Sequence, residues 1–412
     1  MKHIVGFLLG MTLLTGAALA QEPAQPTWVA DGLLTAEEAA EGFYPLFNGK
    51  DLDGWWSRGE NKNAYQVKEG GIILVTGEPG GDWLFTNDEF DNFVLRYEYR
   101  CISGEGNSGV GIRAPKEGNP AFDGFEIQVI RAKWETPYQR SGALYSVVPP
   151  EVEADKPFGE WNSVEVMADG RRVRTLMNGT QLYDANTLDY TPETVKEEWQ
   201  KPANTRPLRG HIALQDHSDA VEFRNIRIKP LPGGEGWRPL FNGKDLTGWQ
   251  VLRDPVFHVT PEGCLQVSGP DGWDKGRNGI RTEESFGDFD LRLSFRPHSP
   301  RANSGVFFRC SGDDPWPRTY EAQIDNHDPK QFTGAIWDQV QASELRAGDD
   351  RWNHMRVTAN GPHIIVWVNG KNVVDYESKK HAGNESGWIT LQGHDPGGTV
   401  DFKDIEIKPI GN

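Results

Sequence analysis

The stretch LFNGKDLDGW at residues 46–55 returns 194 residues later as LFNGKDLTGW at residues 240–249, with one change, Asp53 to Thr247. Further pairs follow in the same order, among them GNSGVGIRA and ANSGVFFRC, FEIQV and YEAQI, SGALY and TGAIW, and HIALQDH and WITLQGH. Solenoid repeats have periods of roughly 20–50 residues, and this period is far longer. The chain therefore contains two homologous domains, each long enough to bury its own core.

Alternation of apolar and polar residues dominates both domains. Stretches such as FVLRYEYR (93–100), DLRLSFRP (290–297) and HIIVWVNGKNVVDY (363–376) change character at every residue, which is typical of half-buried strands. Asn178-Gly179 and Asn369-Gly370 supply the left-handed turn residues of tight hairpins. The sequence therefore predicts an all-β chain of two tandem antiparallel β-sandwiches.

The ends of the repeated pattern mark the domain boundaries. We place the first domain at residues 44–231 and the second at residues 237–411. The linker between them, LPGGEG at 231–236, is too short to let the domains separate far, so we expect them to be in contact. An insert at 190–207 occurs only in the first domain, and we expect it to cover an edge, a cleft or the domain junction.

The N-terminal segment has the features of an exported protein. Residues 1–20 combine a basic start, an apolar run and a closing Ala-Leu-Ala triplet, which predicts a secretory signal peptide cleaved after Ala20. The apolar run is too short to span a bilayer, and no later segment qualifies. We expect a secreted or periplasmic protein. In the lead at 21–43, Thr35 and Glu38 match a capping box for one short helix.

The net charge excludes some classes of partner, and the cysteines indicate whether disulfides or metal sites are expected. A formal net charge of −17 argues against nucleic acid and anionic membranes as partners, because both favour dense lysine and arginine. Cys101, Cys264 and Cys310 are odd in number and lie at non-equivalent places in the two copies. We expect buried thiols, with a Cys264–Cys310 disulfide as the alternative. The sequence has no CxxC or HExxH metal motif and carries no signal for oligomeric state.

Polar residues spaced by two along a strand share one face of the sheet, so repeated polar rows predict a binding face. In the second domain this prediction covers Asn303, Arg309, Glu321, Gln323, Asp325, Trp337, Gln392 and His394. In the first domain it covers Asn107, Arg113, Glu126, Gln128, Tyr145, Gln215 and His217. Acids, amides, an arginine, a histidine and an aromatic ring together suit a sugar. Imidazole is the best candidate for proton transfer near neutral pH.

The two copies are not chemically equivalent, because Ile130 stands where the second domain has Asp325. We therefore expect the second domain to carry any activity. Glu321 and Asp325 are four residues apart, about 13 Å along a regular strand. Glycosidases with two carboxylates need roughly 5–9.5 Å. That spacing disfavours an ordinary glycosidase pair.

The ordered set LFNGKDLxGW, NSG, E-x-Q, TGAIW, a late NG hairpin, LQxH and FKDIEIKP resembles the 3-keto-disaccharide hydrolase family over both domains. The resemblance implies a concanavalin A-like jelly roll in each half, export, and action on glycosides oxidised at C3. A ketone at C3 acidifies the C2 proton, so one base and one oxyanion stabiliser suffice to expel the C1 substituent.

In that reading Glu321 or His394 is the base, and Arg309, Gln323 and Gln392 bind the ketone or neighbouring hydroxyls. No cofactor is required by the sequence, although a divalent metal bound by Glu321, Asp325 and His394 is left open. The main alternative is a carbohydrate-binding module without catalysis, because jelly rolls serve lectins as readily as enzymes. A structural or adhesive surface protein would not need polar rows.

Overall fold

The computed structural model describes residues 32–131, 136–194, 200–252, 257–268, 278–298, 302–310, 320–379, 386–394 and 398–411. The predicted signal peptide and residues 195–199 of the insert lie outside these ranges. Within them, none of the helices has the length and apolar character needed to cross a bilayer.

The first half of the chain folds into a sandwich of two antiparallel sheets. Its strands are β1 (Tyr44–Pro45), β2 (Trp55–Ser57), β3 (Tyr65–Lys68), β4 (Ile72–Val75), β5 (Trp83–Phe90), β6 (Phe93–Cys101), β7 (Ser108–Ala114), β8 (Phe125–Val129), β9 (Asn162–Asp169), β10 (Arg172–Met177), β11 (Thr180–Asn186), β12 (Gly210–Gln215) and β13 (Val221–Pro230). One sheet has the order β11-β10-β9-β6-β13-β4-β3, with β1 also paired to β13. The other has the order β2-β5-β12-β7-β8.

The second half repeats this arrangement. Its strands are β14 (Arg238–Pro239), β15 (Trp249–Val251), β16 (Phe257–Val259), β17 (Leu265–Ser268), β18 (Asn278–Phe286), β19 (Phe289–Pro297), β20 (Ser304–Cys310), β21 (Tyr320–Ile324), β22 (Asn353–Asn360), β23 (His363–Val368), β24 (Lys371–Glu377), β25 (Gly387–Gly393) and β26 (Thr399–Pro409). The larger sheet has the order β24-β23-β22-β19-β26-β17-β16, with β14 on β26, and the smaller has the order β15-β18-β25-β20-β21.

Both halves therefore share one strand order, and the predicted fold class, two tandem jelly-roll sandwiches, is confirmed. Each sandwich buries its own apolar core between its two sheets. Asn178-Gly179 and Asn369-Gly370 have positive φ at both residues, as the tight hairpins require.

The repeated ten-residue motif builds a turn at one end of each sandwich. Asn48 Oδ1 accepts hydrogen bonds from the backbone of Lys50 and Asp51, and Asn242 does the same in the second copy. Trp55 Nε1 donates to Leu46 O at 2.8 Å, and Trp249 repeats this bond at 2.7 Å. The sequence identity is thus explained by folding, because each turn needs the same asparagine and tryptophan.

One short helix, α1 (Ala36–Glu41), precedes the first sandwich. Its N-cap Thr35 and Glu38 form the predicted capping box, and Gly42 ends it at φ 95°. Glu38 also accepts hydrogen bonds from Arg96 and Arg227 of the larger sheet, which fix the helix on that sheet.

The described part of the insert packs on the first sandwich. Arg206 donates to the carbonyls of Ala121 and Gly124, at the short helix α2 (Pro120–Asp123) and the turn after it. Lys201 pairs with Asp123 at 2.6 Å. The insert therefore closes over the connection between β7 and β8.

All three cysteines are buried thiols that form no disulfide. The alternative Cys264–Cys310 disulfide does not form. Each thiol lies in the protein interior, where burial raises the pKa of Cys101 to about 12 and that of Cys264 above its usual value.

The two sandwiches dock through a buried carboxylate. Asp91, after β5, accepts hydrogen bonds from Arg209 of its own domain, from Trp237 of the linker region and from Arg292 of the second domain. His354 Nε2 lies 2.9 Å from Gly42 O across the same junction. The short linker thus ends in a packed contact between the domains.

Candidate active site on the smaller sheet of the second domain

The smaller sheet of each sandwich has one face in the core and one face outside it. Along β21, Tyr320, Ala322 and Ile324 belong to the apolar core, so Glu321 and Gln323 lie on the other face. These two side chains are nevertheless only 4% and 3% exposed. The outer face is therefore covered, and its polar groups are removed from bulk water.

Strand register places two glutamines on either side of a glycine. Gly305 on β20 pairs with Gln323 on β21. Val306 pairs with Leu391, which puts Gly305 beside Gln392 on β25. Gly279 on β18 pairs with Gln392 from the other side. The Gln392 amide thus stands between two residues that have no side chain.

The carboxylate of Glu321 fills the space above Gly305. A β-carbon added at Gly305 would lie 2.1 Å from Glu321 Oε1, and one added at Gly109 of the first domain would lie 1.9 Å from Glu126 Oε1. Only glycine leaves room for the carboxylate in each copy. This acid therefore lies between the strands that carry the two glutamines.

Several polar atoms of this group have no hydrogen-bond partner among the described residues. They are Glu321 Oε2, Gln323 Oε1 and both amide atoms of Gln392, which is 1% exposed. Buried polar groups are nearly always paired, since an unmet group costs about 1–3 kcal/mol. In the first domain the Gln128 side-chain nitrogen can donate to Glu126 Oε1 at 3.1 Å, and Gln215 is only half-buried, so water can reach it. The second copy therefore has polar capacity left for a ligand.

Burial also changes the acid–base chemistry of the two glutamates. It raises the pKa of Glu321 well above the ordinary carboxyl value, and it raises the pKa of Glu126 to about 8. Burial also raises the pKa of Asp325, although backbone N–H groups of His327 and Asp328 oppose the shift. A carboxyl in such a site holds a proton near neutral pH, and its ionised form is a stronger base than an exposed carboxylate.

The neighbouring amides connect differently in the two copies. In the second domain Gln323 Nε2 donates to Asn303 Oδ1, and Asn303 Nδ2 donates to Asp325 Oδ2, both at 3.3 Å. In the first domain Ile130 offers no acceptor. There the Asn107 amide lies 3.1 Å from His217 Nδ1 instead. The asparagine amide thus bonds to a carboxylate in the second domain, and it lies against a histidine in the first, where Ile130 replaces that acid.

The remaining predicted residues lie around this group. His394 follows β25 directly and is half-buried, whereas His217 is exposed and Gln215 half-buried. The backbone N–H of Trp337 donates to Glu321 O at 3.0 Å, and Tyr145 makes the same bond to Glu126 at 2.9 Å. These aromatic residues therefore lie on the segment that runs beside the acid-bearing strand.

The expectation that Arg309 and Arg113 share this face is wrong. A register shift between Phe307 and Cys310 interrupts the alternation of β20, and Arg309 has φ 55°. Its guanidinium instead donates to Asp288 and to Gly361 O at the turn of the other sheet, at 2.6 Å each. Arg113 likewise donates to Asp91 O, Gly170 O and Asn92 Oδ1. Both arginines tie the two sheets together at the end of the sandwich.

A metal site is not assembled by the described side chains. No three histidine, cysteine, aspartate or glutamate side chains in those ranges are close enough to hold an ion, and this includes Glu321, Asp325 and His394. The ligand set that the sequence left open is therefore not brought together in this arrangement.

Gly305 lies on the predicted face of its strand, whereas Gly279 is a part of the site that the polar rows did not predict. Glycine inside a strand often marks a close approach of another group, and both positions lie inside strands. When the two copies are aligned, Gly279 occupies the position of Trp83, and Gly305 occupies the position of Gly109.

Comparison with known proteins agrees with this description. The family model for the 3-keto-alpha-glucoside-1,2-lyase-like domain matches twice, at residues 42–229 and 236–408. A 3-keto-disaccharide hydrolase of Bacteroides thetaiotaomicron is 30% identical over 239 residues, covering 47% of this chain and 79% of the relative.

Solved structures resemble one half of the chain at a time. A proposed glycosyl hydrolase from Parabacteroides distasonis is 30% identical, with a TM-score of 0.42, over 48% of this chain and 98% of that chain. The carbohydrate-binding module CBM66 from Bacillus subtilis is 18% identical, with a TM-score of 0.31, over 39% of this chain and 95% of its own. Because the family model covers most of both sandwiches, the chain belongs to the 3-keto-alpha-glucoside-1,2-lyase-like family, with two copies of its domain.

Proposed function

We propose that this protein is an exported carbohydrate-active enzyme that cleaves the glycosidic bond of 3-keto-glycosides in its second domain. The observation that carries the proposal is the group of Glu321, Gln323 and Gln392, which are buried and retain unpaired polar atoms. Family membership and the 3-keto-disaccharide hydrolase relative support a sugar as the ligand. Export rests on the signal-peptide pattern of residues 1–20.

The reaction proceeds by elimination followed by hydration. Glu321, as the carboxylate, takes the C2 proton that the C3 ketone has made acidic. The electron pair of the C2–H bond forms a C1–C2 double bond, and the C1–O bond breaks. The leaving oxygen takes a proton, and His394, which follows β25 directly, is the proposed donor. Water then adds to C1, and the proton returns to C2, which completes a net hydrolysis.

The two glutamines stabilise the charge that develops. Gln392 Nε2 has no protein partner among the described groups and can donate to the enolate oxygen at C3. Gln323 donates from Nε2 to Asn303, so its free Oε1 accepts from a sugar hydroxyl. Arg309 has no role in this scheme, because its guanidinium is engaged with Asp288 and Gly361.

A matched pair of substitutions tests the assignment. The variants Glu321→Gln and Glu126→Gln make the same change at equivalent positions of the two domains. With 3-keto-trehalose, 3-keto-sucrose and a 3-keto-glucoside as substrates and mass spectrometry as readout, we expect Glu321→Gln to lower kcat about 10²–10⁴-fold. We expect Glu126→Gln to change it little. Equal losses would show that both domains act, and full activity of Glu321→Gln would place the base elsewhere.

The same assay includes a pH series and a chelator. Because only ionised Glu321 accepts the proton, and its pKa is raised, kcat/KM must increase with pH over a range well above the ordinary carboxyl pKa.

EDTA treatment tests the divalent metal that the sequence left open. If the wild-type protein binds sugars but converts no keto-glycoside, the carbohydrate-binding alternative is correct.

A further inference from the structure

A cleft lies between the two sandwiches, lined by residues of both domains. It consists of two cavities of about 110 Å³ and 230 Å³, which adjoin because both are lined by Tyr44, Asp88, Phe90 and Gly370. One buried water needs roughly 10–15 Å³ of such volume, so the cleft has room for a ligand larger than a few waters. None of its described lining residues belongs to the group around Glu321. The cleft is therefore separate from the candidate active site.

Tyr44 of β1 reaches across this junction. A β-carbon added at Gly370 of the second domain would lie 2.3 Å from Tyr44 Cε2 and 3.0 Å from its hydroxyl oxygen, so the phenol packs on the Asn369-Gly370 hairpin. Tyr44 is 3% exposed, and its hydroxyl has no hydrogen-bond partner among the described residues. A buried tyrosine hydroxyl usually finds a partner. Here it lines the cleft with its hydrogen-bonding capacity unused.

Two charged groups with incomplete pairing line the same cleft. The Asp88 carboxylate is half-buried and forms no ion pair with a described residue. Burial raises its pKa to about 6, although basic side chains around the cleft oppose the shift. From the second domain, Arg346 has a buried Nε without a hydrogen-bond partner in the described part of the chain. An acceptor, a donor and a hydroxyl thus line one cleft, and each can bond to a ligand.

The second copy shows what the same positions do away from the junction. In the aligned repeats, Arg238 occupies the position of Tyr44, and Glu284 occupies the position of Asp88. Arg238 Nη2 and Glu284 Oε1 form an ion pair at 2.6 Å, and both side chains are well exposed. In the first copy tyrosine replaces the arginine, so Asp88 lacks the cation that its counterpart has. The Asp88 charge still adds to the burial that raises the pKa of Tyr44, so the two groups lie near each other.

The charge balance of the cleft favours a neutral ligand. The larger cavity is lined by three basic side chains and three acidic ones: Lys50, Arg346 and Lys371, and Asp53, Asp88 and Glu344. Lys371 pairs with Asp53, and Arg346 Nη1 lies 3.6 Å from Glu344. An ion of either sign therefore gains little net attraction, whereas a hydroxyl group can donate to Asp88 and accept from Arg346. The two aromatic rings that both cavities share add an apolar surface.

We propose that this cleft binds a small neutral polyol, of about the size of one sugar ring, through the Asp88 carboxylate, the Tyr44 hydroxyl and the Arg346 guanidinium. The ligand then contacts both sandwiches and holds one against the other. Because a ligand that binds only the folded, docked protein stabilises it, occupancy of the cleft raises the melting temperature. The inference does not depend on the proposed reaction, since the two sites share no lining residue.

Ligand-observed NMR with glucose as the probe tests binding to the full-length protein. We expect saturable binding that Asp88→Asn weakens about 10–150-fold, because the ligand loses a hydrogen bond to a charged group. Tyr44→Phe weakens it about 2–10-fold, the effect of one neutral hydrogen bond. The removed hydroxyl has no protein partner, so the Tyr44→Phe protein keeps its fold. Glucose must also raise the melting temperature of the wild type more than that of either variant.

Two matched substitutions control for general effects on the protein. Glu284→Gln changes the equivalent acid of the second copy, which lies outside the cleft. Tyr183→Phe removes a buried tyrosine hydroxyl of the first domain that accepts from Thr175 Oγ1 at 2.8 Å. Both must leave the affinity for glucose unchanged, and Tyr183→Phe must lower the melting temperature because it breaks a hydrogen bond within the core.

The remaining outcomes decide against the proposal or separate it from the proposed function. Absence of saturable glucose binding would mean that only water fills the cleft, and would overturn the proposal. An affinity unchanged in both Tyr44→Phe and Asp88→Asn would do the same, because the sugar would then bind elsewhere, the Glu321 group included. Displacement of glucose by inorganic phosphate would contradict the neutral class of ligand. A protein that binds glucose in this cleft but converts no keto-glycoside would keep this inference and lose the proposed function.

Discussion

At the scale of single residues, the environment rather than the residue type sets the chemistry of the glutamates. Glu126 and Glu321 sit over glycine, have no basic neighbour that lowers their pKa, and are shifted by burial alone. An exposed strand glutamate would be ionised at neutral pH and would be a weak base. The glycine opposite is therefore as important to the site as the acid, because it lets the carboxylate lie flat on the sheet.

Glu126 makes the stability of the protein depend on pH. Its pKa is about 8 in the folded state and near 4.5 when unfolded, so between these values the folded chain holds a proton that the unfolded chain has lost. The stability that this group contributes is complete below pH 4.5 and is lost as pH rises to 8, by up to about 1.4 kcal/mol per pH unit. Glu126→Gln removes this slope.

We therefore expect the difference in unfolding free energy between Glu126→Gln and wild type to move in favour of the variant from pH 5 to pH 8. Urea denaturation at several pH values measures it. The pKa of Glu321 is also raised by burial, but Glu321 is present in both proteins, so its contribution cancels in the difference. Parallel stability curves would mean that Glu126 is not shifted.

At the scale of elements, a bulge near the end of β7 and of β20 decides where an arginine goes. Arg113 and Arg309 have φ 51° and 55°, and each sends its guanidinium to the turns of the opposite sheet. The residue after each arginine then takes the outer face: Ala114 joins an apolar cluster with Trp83 and Phe85, and Cys310 contacts Thr390. The bulge thus turns the arginine side chain away from the predicted binding face, so that it holds the two sheets together.

Because Arg309 links the two sheets through Asp288 and Gly361 O, we expect Arg309→Lys to destabilise the second domain without a specific effect on catalysis. Lysine lacks the planar fork that reaches Asp288 and Gly361 O with two separate nitrogens, and loss of a hydrogen bond to a charged group costs about 1.5–3 kcal/mol. Calorimetry should show a lowered melting temperature, while kcat measured well below it should be unchanged. As a control, Arg172→Lys affects an exposed pair with Asp184 and should not shift the transition. Loss of kcat with full stability would restore a catalytic role for Arg309.

At the scale of the whole molecule, acidic side chains of the first domain form ion pairs with basic side chains of the second. Asp91 accepts from Trp237 at 2.9 Å and from Arg292 at 3.3 Å, and its side chain is 3% exposed. At the edge of the junction Lys371 pairs with Asp53, which is well exposed. A cavity of about 110 Å³ between these contacts is lined by both domains. The buried Asp91 is thus the centre of the docking contact, and the Asp53 pair is peripheral.

We expect Asp91→Ala to uncouple the two sandwiches. It leaves the Trp237 N–H without its acceptor and removes one acceptor of Arg292, which keeps Glu406 and Gly233 O. An unmet buried group costs about 1–3 kcal/mol. Calorimetry should show that a transition shared by both domains separates into two. Asp53→Ala is the matched control at the same junction, and because its pair is exposed it should leave the transition intact. A single, unshifted transition in Asp91→Ala would show that other contacts couple the domains.

The sequence by itself determined the duplication, the sandwich class, and the outer position of Glu321, Gln323 and Gln392, because repeat identity and period-two alternation are local properties of the chain. It did not reveal the direction of Arg309, since one bulge reverses the alternation for a single residue. Whether polar atoms are paired, and whether a face is open, depends on strands far apart in the chain, such as Trp83 over Gly111 or Glu321 over Gly305. Burial and hydrogen-bond satisfaction are sums over such neighbours, so only the tertiary structure shows that Glu321, Gln323 and Gln392 keep buried polar atoms without a partner among the described residues.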